Sequence, residues 1–218
     1  MKIDIEVHPL QSPGYLKLKL PKQYLNRIKK NIKKIVKNKN TKINDTLAGN
    51  ISYSFALEDK KWFQESLIMP CVDIYSKAFV KFQDEFNPTV LNKDCKFYLD
   101  KLWVNFQKKN EFNPIHNHTG LFSFVIWIKI PYDHKKEQDV SFVKHSNSPS
   151  AGNFSFLYSS SLGKILAHDF KLSKKYEGTM VFFPAKLQHV VYPFYSSNEE
   201  RISISGNVML DINQPVCE

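Results

Sequence analysis

Three histidines set the terms for this chain. His116 and His118 stand one residue apart in Asn113-Pro114-Ile115-His116-Asn117-His118-Thr119-Gly120, and His189 follows 189 − 118 = 71 residues later in Gln188-His189-Val190. Side chains on an extended backbone repeat every two positions, so the first two point the same way if they end a strand. The third joins them only in a fold that returns a distant strand to the same place. Imidazole binds zinc, copper, iron and nickel alike, so residue type alone names no metal. The plain alternative is three unrelated histidines, two on a strand edge and one packed beneath an aromatic residue.

The surrounding texture decides which folds are available. From Lys96 onward, short apolar or alternating segments are separated by turn residues, the mark of a β-sandwich or barrel. Strands are expected near 97–106, 113–118, 121–130, 139–144, 153–159, 163–169, 178–183, 188–194 and 201–209, with no helix of useful length among them. The first 95 residues read differently. One or two short strands within 1–20, with Gln11-Ser12-Pro13-Gly14 as a turn, precede a helix opened by Pro21. Tyr24, Leu25, Ile28, Ile32, Ile35 and Val36 form its apolar stripe, opposite a lysine face. A polar loop covers 37–50 and a short strand 51–57, and a second helical pattern runs from Asp59 to Phe86, kinked or split at Pro70. There is no internal repeat and no Gly/Ser linker. The expected fold is mainly β with N-terminal helices, a single domain over 1–218 in which a largely helical support region, 1–95, carries a β core, 96–218.

Composition narrows the function classes. At 218 residues and 42% hydrophobic content the chain can bury one sizeable core. No apolar run reaches membrane-spanning length, and Met1-Lys2-Ile3-Asp4-Ile5-Glu6 lacks the apolar block of a signal peptide, so a cytoplasmic protein is expected. Cys71, Cys95 and Cys217 have no paired spacing, which argues against a disulfide framework or a zinc ribbon. The net charge of +10 sits almost wholly in residues 1–40, where eleven Lys/Arg against two Asp/Glu give 11 − 2 = +9. That patch suits a polyanion, or is simply the solvated face of a lysine-rich helix.

A second polar feature lies in the last strand. Arg201, Ser203, Ser205 and Asn207 alternate with Ile202, Ile204 and Val208, giving one cationic face and one apolar face. Turned inward, the arginine requires an anion, because an unpaired buried charge is prohibitive. Its fork grips carboxylates bidentately, and serine adds a donor. Turned outward, the same face lies in water at a sheet edge.

Together these residues resemble the iron(II)- and 2-oxoglutarate-dependent oxygenases, whose fold is a double-stranded β-helix, or jelly roll. By that resemblance His116 matches the first metal ligand and His189 the distal one. Arg201 with Ser203, 201 − 189 = 12 residues on, matches the Arg-x-Ser element that binds the far carboxylate of 2-oxoglutarate. Gly178 to Pro184 looks like the run that precedes the distal histidine, and the resemblance spans about residues 96–210. It departs from the larger family at His118, where Asp or Glu is usual, and is there similar to a smaller phage and bacterial group with His-x-His. His118 is then a ligand, or it lies beside the ligands while Asp133, Asp139 or a water completes the set.

The resemblance implies Fe(II), 2-oxoglutarate and O2, release of succinate and CO2, and hydroxylation of a substrate it does not name: a protein side chain, a nucleobase or a small metabolite. It implies no catalytic side chain beyond the metal ligands. Halogenation is set aside, because His118 fills the place a halide would need. Asn105, on the strand before the histidine pair, and Trp127, where relatives place a tyrosine, are candidates for the cosubstrate pocket, with core packing as the alternative. His8, His134, His145 and His168 show no partner pattern. Two other classes stand beside this one. A cupin-like metal protein usually adds a glutamate that Leu121 to Ile128 lacks, and a polyanion-binding module would need no metal.

Overall fold

The computed structural model describes residues 3–8, 14–38, 42–82, 95–160 and 162–215. Along the chain, β1 (Ile5–His8), β2 (Tyr15–Lys19) and helix α1 (Lys22–Asn38) lead to β3 (Tyr53–Ala56). Helix α2 (Lys60–Phe63), a π turn (Gln64–Ile68) and helix α3 (Met69–Ala78) run on without a break. Then come β4 (Cys95–Gln107), β5 (Asn113–His116), β6 (Phe122–Lys129), the short helices α4 (His134–Gln138) and α5 (Ser141–Lys144), β7 (Phe154–Ser159), β8 (Ile165–Phe170), β9 (Thr179–Pro184), β10 (Gln188–Val191) and β11 (Arg201–Pro215).

These strands make two antiparallel sheets, one of seven in the order β1-β2-β9-β6-β11-β4-β3 and one of four in the order β5-β10-β7-β8. Neighbours in space are mostly distant in sequence, the winding of a double-stranded β-helix. The N-terminal residues supply more than helices, since β1, β2 and β3 extend the larger sheet at both edges.

The period of two divides the larger sheet into two unlike faces. Its outer face presents Leu16, Leu18, Phe122, Phe124, Ile126, Val104, Ile204 and Val208 to the helices, which answer with Ile28, Ile32 and Ile35 from α1 and Val72 and Tyr75 from α3. Gly206 shares this outer parity; a Cβ there would stand 2.7 Å from the Phe124 ring and from the Lys101 carbonyl, so the ring takes the space a side chain would fill. The inner face turns Tyr15, Val125, Trp127, Val181 and Phe183 towards Phe154, Phe156 and Phe170 of the smaller sheet. That aromatic layer fills one part of the interior, and polar residues line the rest.

Pro70 does not end the helical run. It falls in the first turn of α3, immediately after the π turn, where wider backbone bonding accommodates its missing N–H. Residues 139–144, expected as a strand, instead form α5 and its lead-in. Val140, Phe142 and Val143 give the segment an apolar texture, but no strand lies beside it. Val143 is buried while Phe142 is 65% exposed, which a single helical turn satisfies and a core strand would not. The expected turn at 11–13, the helical stretch 83–86 and Cys217 lie outside the described residues.

Candidate metal and cosubstrate site

Register brings two of the histidines together. His189 on β10 pairs directly with His116 on β5, and their ring centroids stand 4.2 Å apart. His118 arrives by another route. β5 ends at His116, and beyond it the His118 N–H donates to the Ala185 carbonyl at 2.8 Å. That anchor leaves His118 Nε2 3.1 Å from His189 Nε2. One nitrogen from each of the three rings lies within 4.8 Å of the others. Neither Asp133 nor Asp139 belongs to the cluster; Asp133 caps α4, accepting from the Lys135 N–H.

The rings are oriented from behind. His116 Nδ1 donates to the Pro114 carbonyl at 2.7 Å and His189 Nδ1 to the Leu187 carbonyl at 2.9 Å. A carbonyl only accepts, so both rings carry their proton at Nδ1 and turn an unprotonated Nε2 inward. Burial lowers the pKa of all three histidines, His118 to about 3, with repulsion among the rings adding to the effect on His118 and His189. They are neutral imidazoles near neutral pH. Two imidazole nitrogens bound at roughly 2.0–2.1 Å and at right angles on one divalent ion stand roughly 3 Å apart. Neutral nitrogen donors, oriented by carbonyls and spaced in this way, fit a first-row divalent ion.

The other polar end of the interior is cationic. Arg201 is 2% exposed. Its Nε and Nη2 both donate to Gln107 Oε1, at 3.1 and 2.7 Å, while Nη2 also reaches the Tyr192 carbonyl at 2.9 Å and Nη1 the Tyr132 hydroxyl at 2.5 Å. Every one of these partners is a neutral oxygen, since burial raises the Tyr132 pKa and keeps the phenol protonated. Among the described residues no ion pair includes Arg201. The buried Glu137 carboxylate lies on the far side of Tyr132 and Gly152, outside ion-pair distance, so the guanidinium keeps only neutral hydrogen-bond partners and can take a carboxylate ligand.

Between the two ends, Ser203 pairs with Asn105 on one side and Trp127 on the other. Asn105 accepts from the Ser54 hydroxyl at 2.7 Å, and Trp127 packs edge-on against Phe154 and Tyr176. His116, His118, His189, Arg201, Ser203, Asn105 and Trp127 all line one cavity of about 240 Å³. The fold therefore gathers every residue the sequence singled out. It adds Gln107 and Tyr132, which grip Arg201, and gives Asn207, read from the sequence only as part of the polar face of its strand, a place beside His118. Gln107 and Asn207 continue the alternations of Asn105 and Arg201, and that parity was the signal. Tyr132 lies beyond β6, where no pattern pointed to it. The remaining histidines serve elsewhere: Tyr15 stacks on His8 and bonds His168 Nε2 at 2.9 Å, and His134 meets Asn153.

Residues 101–207, which hold every one of these groups, match the family described as "Putative 2OG-Fe(II) oxygenase". This stretch, just under half of the chain, is similar to a 2OG-Fe(II) oxygenase core. Among solved structures, the oxygenase resembles a Pseudomonas putida prolyl-4-hydroxylase at 14% identity and TM-score 0.53, over 90% of this chain and 92% of that one. It also resembles a Trichoplax adhaerens prolyl hydroxylase, solved with a peptide fragment of the oxygen degradation domain of hypoxia inducible factor, at 10% identity and TM-score 0.51, over 94% of this chain and 86% of that one. At such identities the likeness is one of fold, and it confirms the jelly roll. No curated protein matches the oxygenase by sequence. The family brings Fe(II), 2-oxoglutarate and O2 as its cofactors. Among the described residues of the oxygenase, no helix is long and apolar enough to cross a membrane.

Proposed function

We propose that the protein is an Fe(II)- and 2-oxoglutarate-dependent hydroxylase in which His116, His118 and His189 hold the metal and Arg201 with Ser203 receives the far carboxylate of 2-oxoglutarate. One observation carries the reading: three inward-turned neutral imidazoles and a buried guanidinium with neutral hydrogen-bond partners share one cavity. With Fe(II) held by the three histidines, O2 would be the oxidant, one oxygen atom going into succinate as 2-oxoglutarate loses CO2 and the other into the hydroxylated substrate. The chain's own residues do the positioning. Carbonyls of Pro114 and Leu187 hold two rings in one tautomer, and Gln107 and Tyr132 hold the guanidinium in place. Trp127, Phe154 and Phe183 give the cavity an apolar wall that limits water.

Among the substrate classes, a protein side chain is the first to test, because both fold neighbours are prolyl hydroxylases and one was solved with a peptide. The buried free thiol of Cys71 supports a reducing compartment, the cytoplasm. The lysines of α1 leave room for a polyanion contact, but α1 packs on the outer face of the larger sheet, away from the cavity. The test is a titration of the anaerobic Fe(II) protein with 2-oxoglutarate, followed by its charge-transfer absorption, with succinate measured after oxygen is admitted. A protein that binds iron but shows neither signal overturns the reading.

A further inference from the structure

Two of the three imidazoles have a visible reason to face the centre, and the third does not. His116 and His189 are tied by backbone carbonyls two residues upstream. No such carbonyl is bonded to His118, the ligand that stands where most relatives of this fold carry an acid. The side chain beside it is Asn207, on the inner face of β11 and 5% exposed. Its amide is already committed on one side, since Nδ2 donates to the Thr119 hydroxyl at 2.9 Å. Its Oδ1 is buried in the cavity wall and has no formed hydrogen bond. Asn207 and His118 line the same cavity, and Thr119, which holds Nδ2, follows His118 directly in the chain, so Oδ1 is the amide atom left to face the ring.

We infer that Asn207 is the positioning residue for His118: its Oδ1 accepts the His118 Nδ1 proton when metal binds, fixing the tautomer that presents Nε2 to the ion. The inference rests on the metal reading of the three histidines. Thr119 completes the device. By accepting from Nδ2 it leaves Oδ1 as the end of the carboxamide available to the ring, whereas an amide turned the other way would offer His118 a donor and favour the wrong nitrogen. The His-x-His arrangement thereby acquires for its second histidine what the first and third obtain from the main chain. An acid at position 118 would have no ring proton to place and no use for Asn207.

That difference supplies the test. Metal affinity is measured with Co(II), whose visible spectrum reports both occupancy and geometry, on the parent, Asn207→Leu, Asn207→Asp, His118→Asp, and the double variant His118→Asp/Asn207→Leu. Loss of an oriented outer partner typically weakens metal binding roughly 10–100-fold, and that loss is expected for Asn207→Leu. Asn207→Asp keeps the size and the acceptor, and takes a hydrogen bond from the Thr119 hydroxyl in place of the lost donor, so it should bind at least as tightly as the parent. In the His118→Asp background the leucine substitution should cost little, because the group it serves is gone. A purely structural role for Asn207 predicts the same loss in both backgrounds, and that result overturns the inference. So does parent-like affinity in Asn207→Leu, or a tenfold loss in Asn207→Asp. Should the leucine variants fail to fold, the Asn207→Asp arm decides alone. A His118→Ala control separates the two levels: full cobalt affinity in that variant means His118 is no ligand and the metal reading itself needs revision.

Discussion

The two faces of the larger sheet are made by the same strands and obey different chemistry. On β11, Ile204 and Val208 pack outward against the helical layer, while Arg201, Ser203, Ser205 and Asn207 turn inward. On β4, Val104 and Phe106 face out, and Asn105 and Gln107 face in. Each strand thus carries a stability code on one parity and a ligand code on the other. Because the codes do not share residues, the outer face can be packed for fold alone. The inner face can hold groups that would be liabilities in any ordinary core, including a buried cation that makes no direct ion pair among the described residues. The lesson is separability: substitutions on one parity should move folding, and on the other they should move ligand binding.

The sharpest test of that separation is removal of a ligand. His116→Ala and His189→Ala should each abolish stoichiometric iron binding while leaving the denaturation midpoint of the metal-free protein close to that of the parent. Full iron occupancy in both, by elemental analysis, would mean the site is elsewhere. The converse is Phe124→Ala on the outer face, where a fully buried ring is lost. It should cost about 3–5 kcal/mol of folding free energy, read from urea unfolding, and leave iron stoichiometry intact in whatever fraction remains folded.

Arg201→Ala comes next in size and blurs the comparison in an informative way. Losing hydrogen bonds to a charged group costs about 1.5–3 kcal/mol, or roughly one to two orders of magnitude in 2-oxoglutarate affinity. Lysine should rescue only part, keeping the charge without the fork. Gln107 and Tyr132 also lean on this guanidinium, so the variant should lose some stability too, whereas iron affinity should hold. An unchanged titration midpoint for 2-oxoglutarate would remove Arg201 from the site.

The most gradual effect is a pH slope. The three clustered histidines titrate below the ordinary histidine value of 6.5 in the folded state because burial penalises their charged form. Between those depressed values and 6.5 the unfolded chain binds more protons than the folded one, so metal-free stability is full above about 6.5 and declines as pH falls towards 3. His118→Gln should flatten that decline in urea unfolding run at several pH values. An equal slope in parent and variant would show that His118 is not buried neutral.

Much of this was legible from the sequence, for a physical reason. Strand faces announce themselves through a period of two, so the polar parity from Arg201 to Asn207 and the histidine spacing both pointed to one interior. The strand expected over 113–118 ends at His116, so His118 joins the cluster through its bond to Ala185 rather than by strand alternation. Residues 139–144 misled because an apolar texture specifies a strand only when a neighbouring strand is there to receive it. Gln107 shared the parity of Asn105, but Tyr132 lies outside every strand and became visible only through its distance to Arg201.

The direct pairing of His116 with His189 has a consequence for how the protein reaches its working form. In a sheet, sliding one strand by a single residue exchanges inside for outside along its whole length. A slip between β5 and β10 would therefore turn one imidazole away from its partners, and a chain so mispaired could bind the ion through two rings at most. Ion capture rewards one alignment of the smaller sheet over its near misses, by an amount that grows with free metal. During synthesis the metal would act as a proofreader of strand alignment before it acts as a reagent, and iron-starved cells would accumulate the misaligned population.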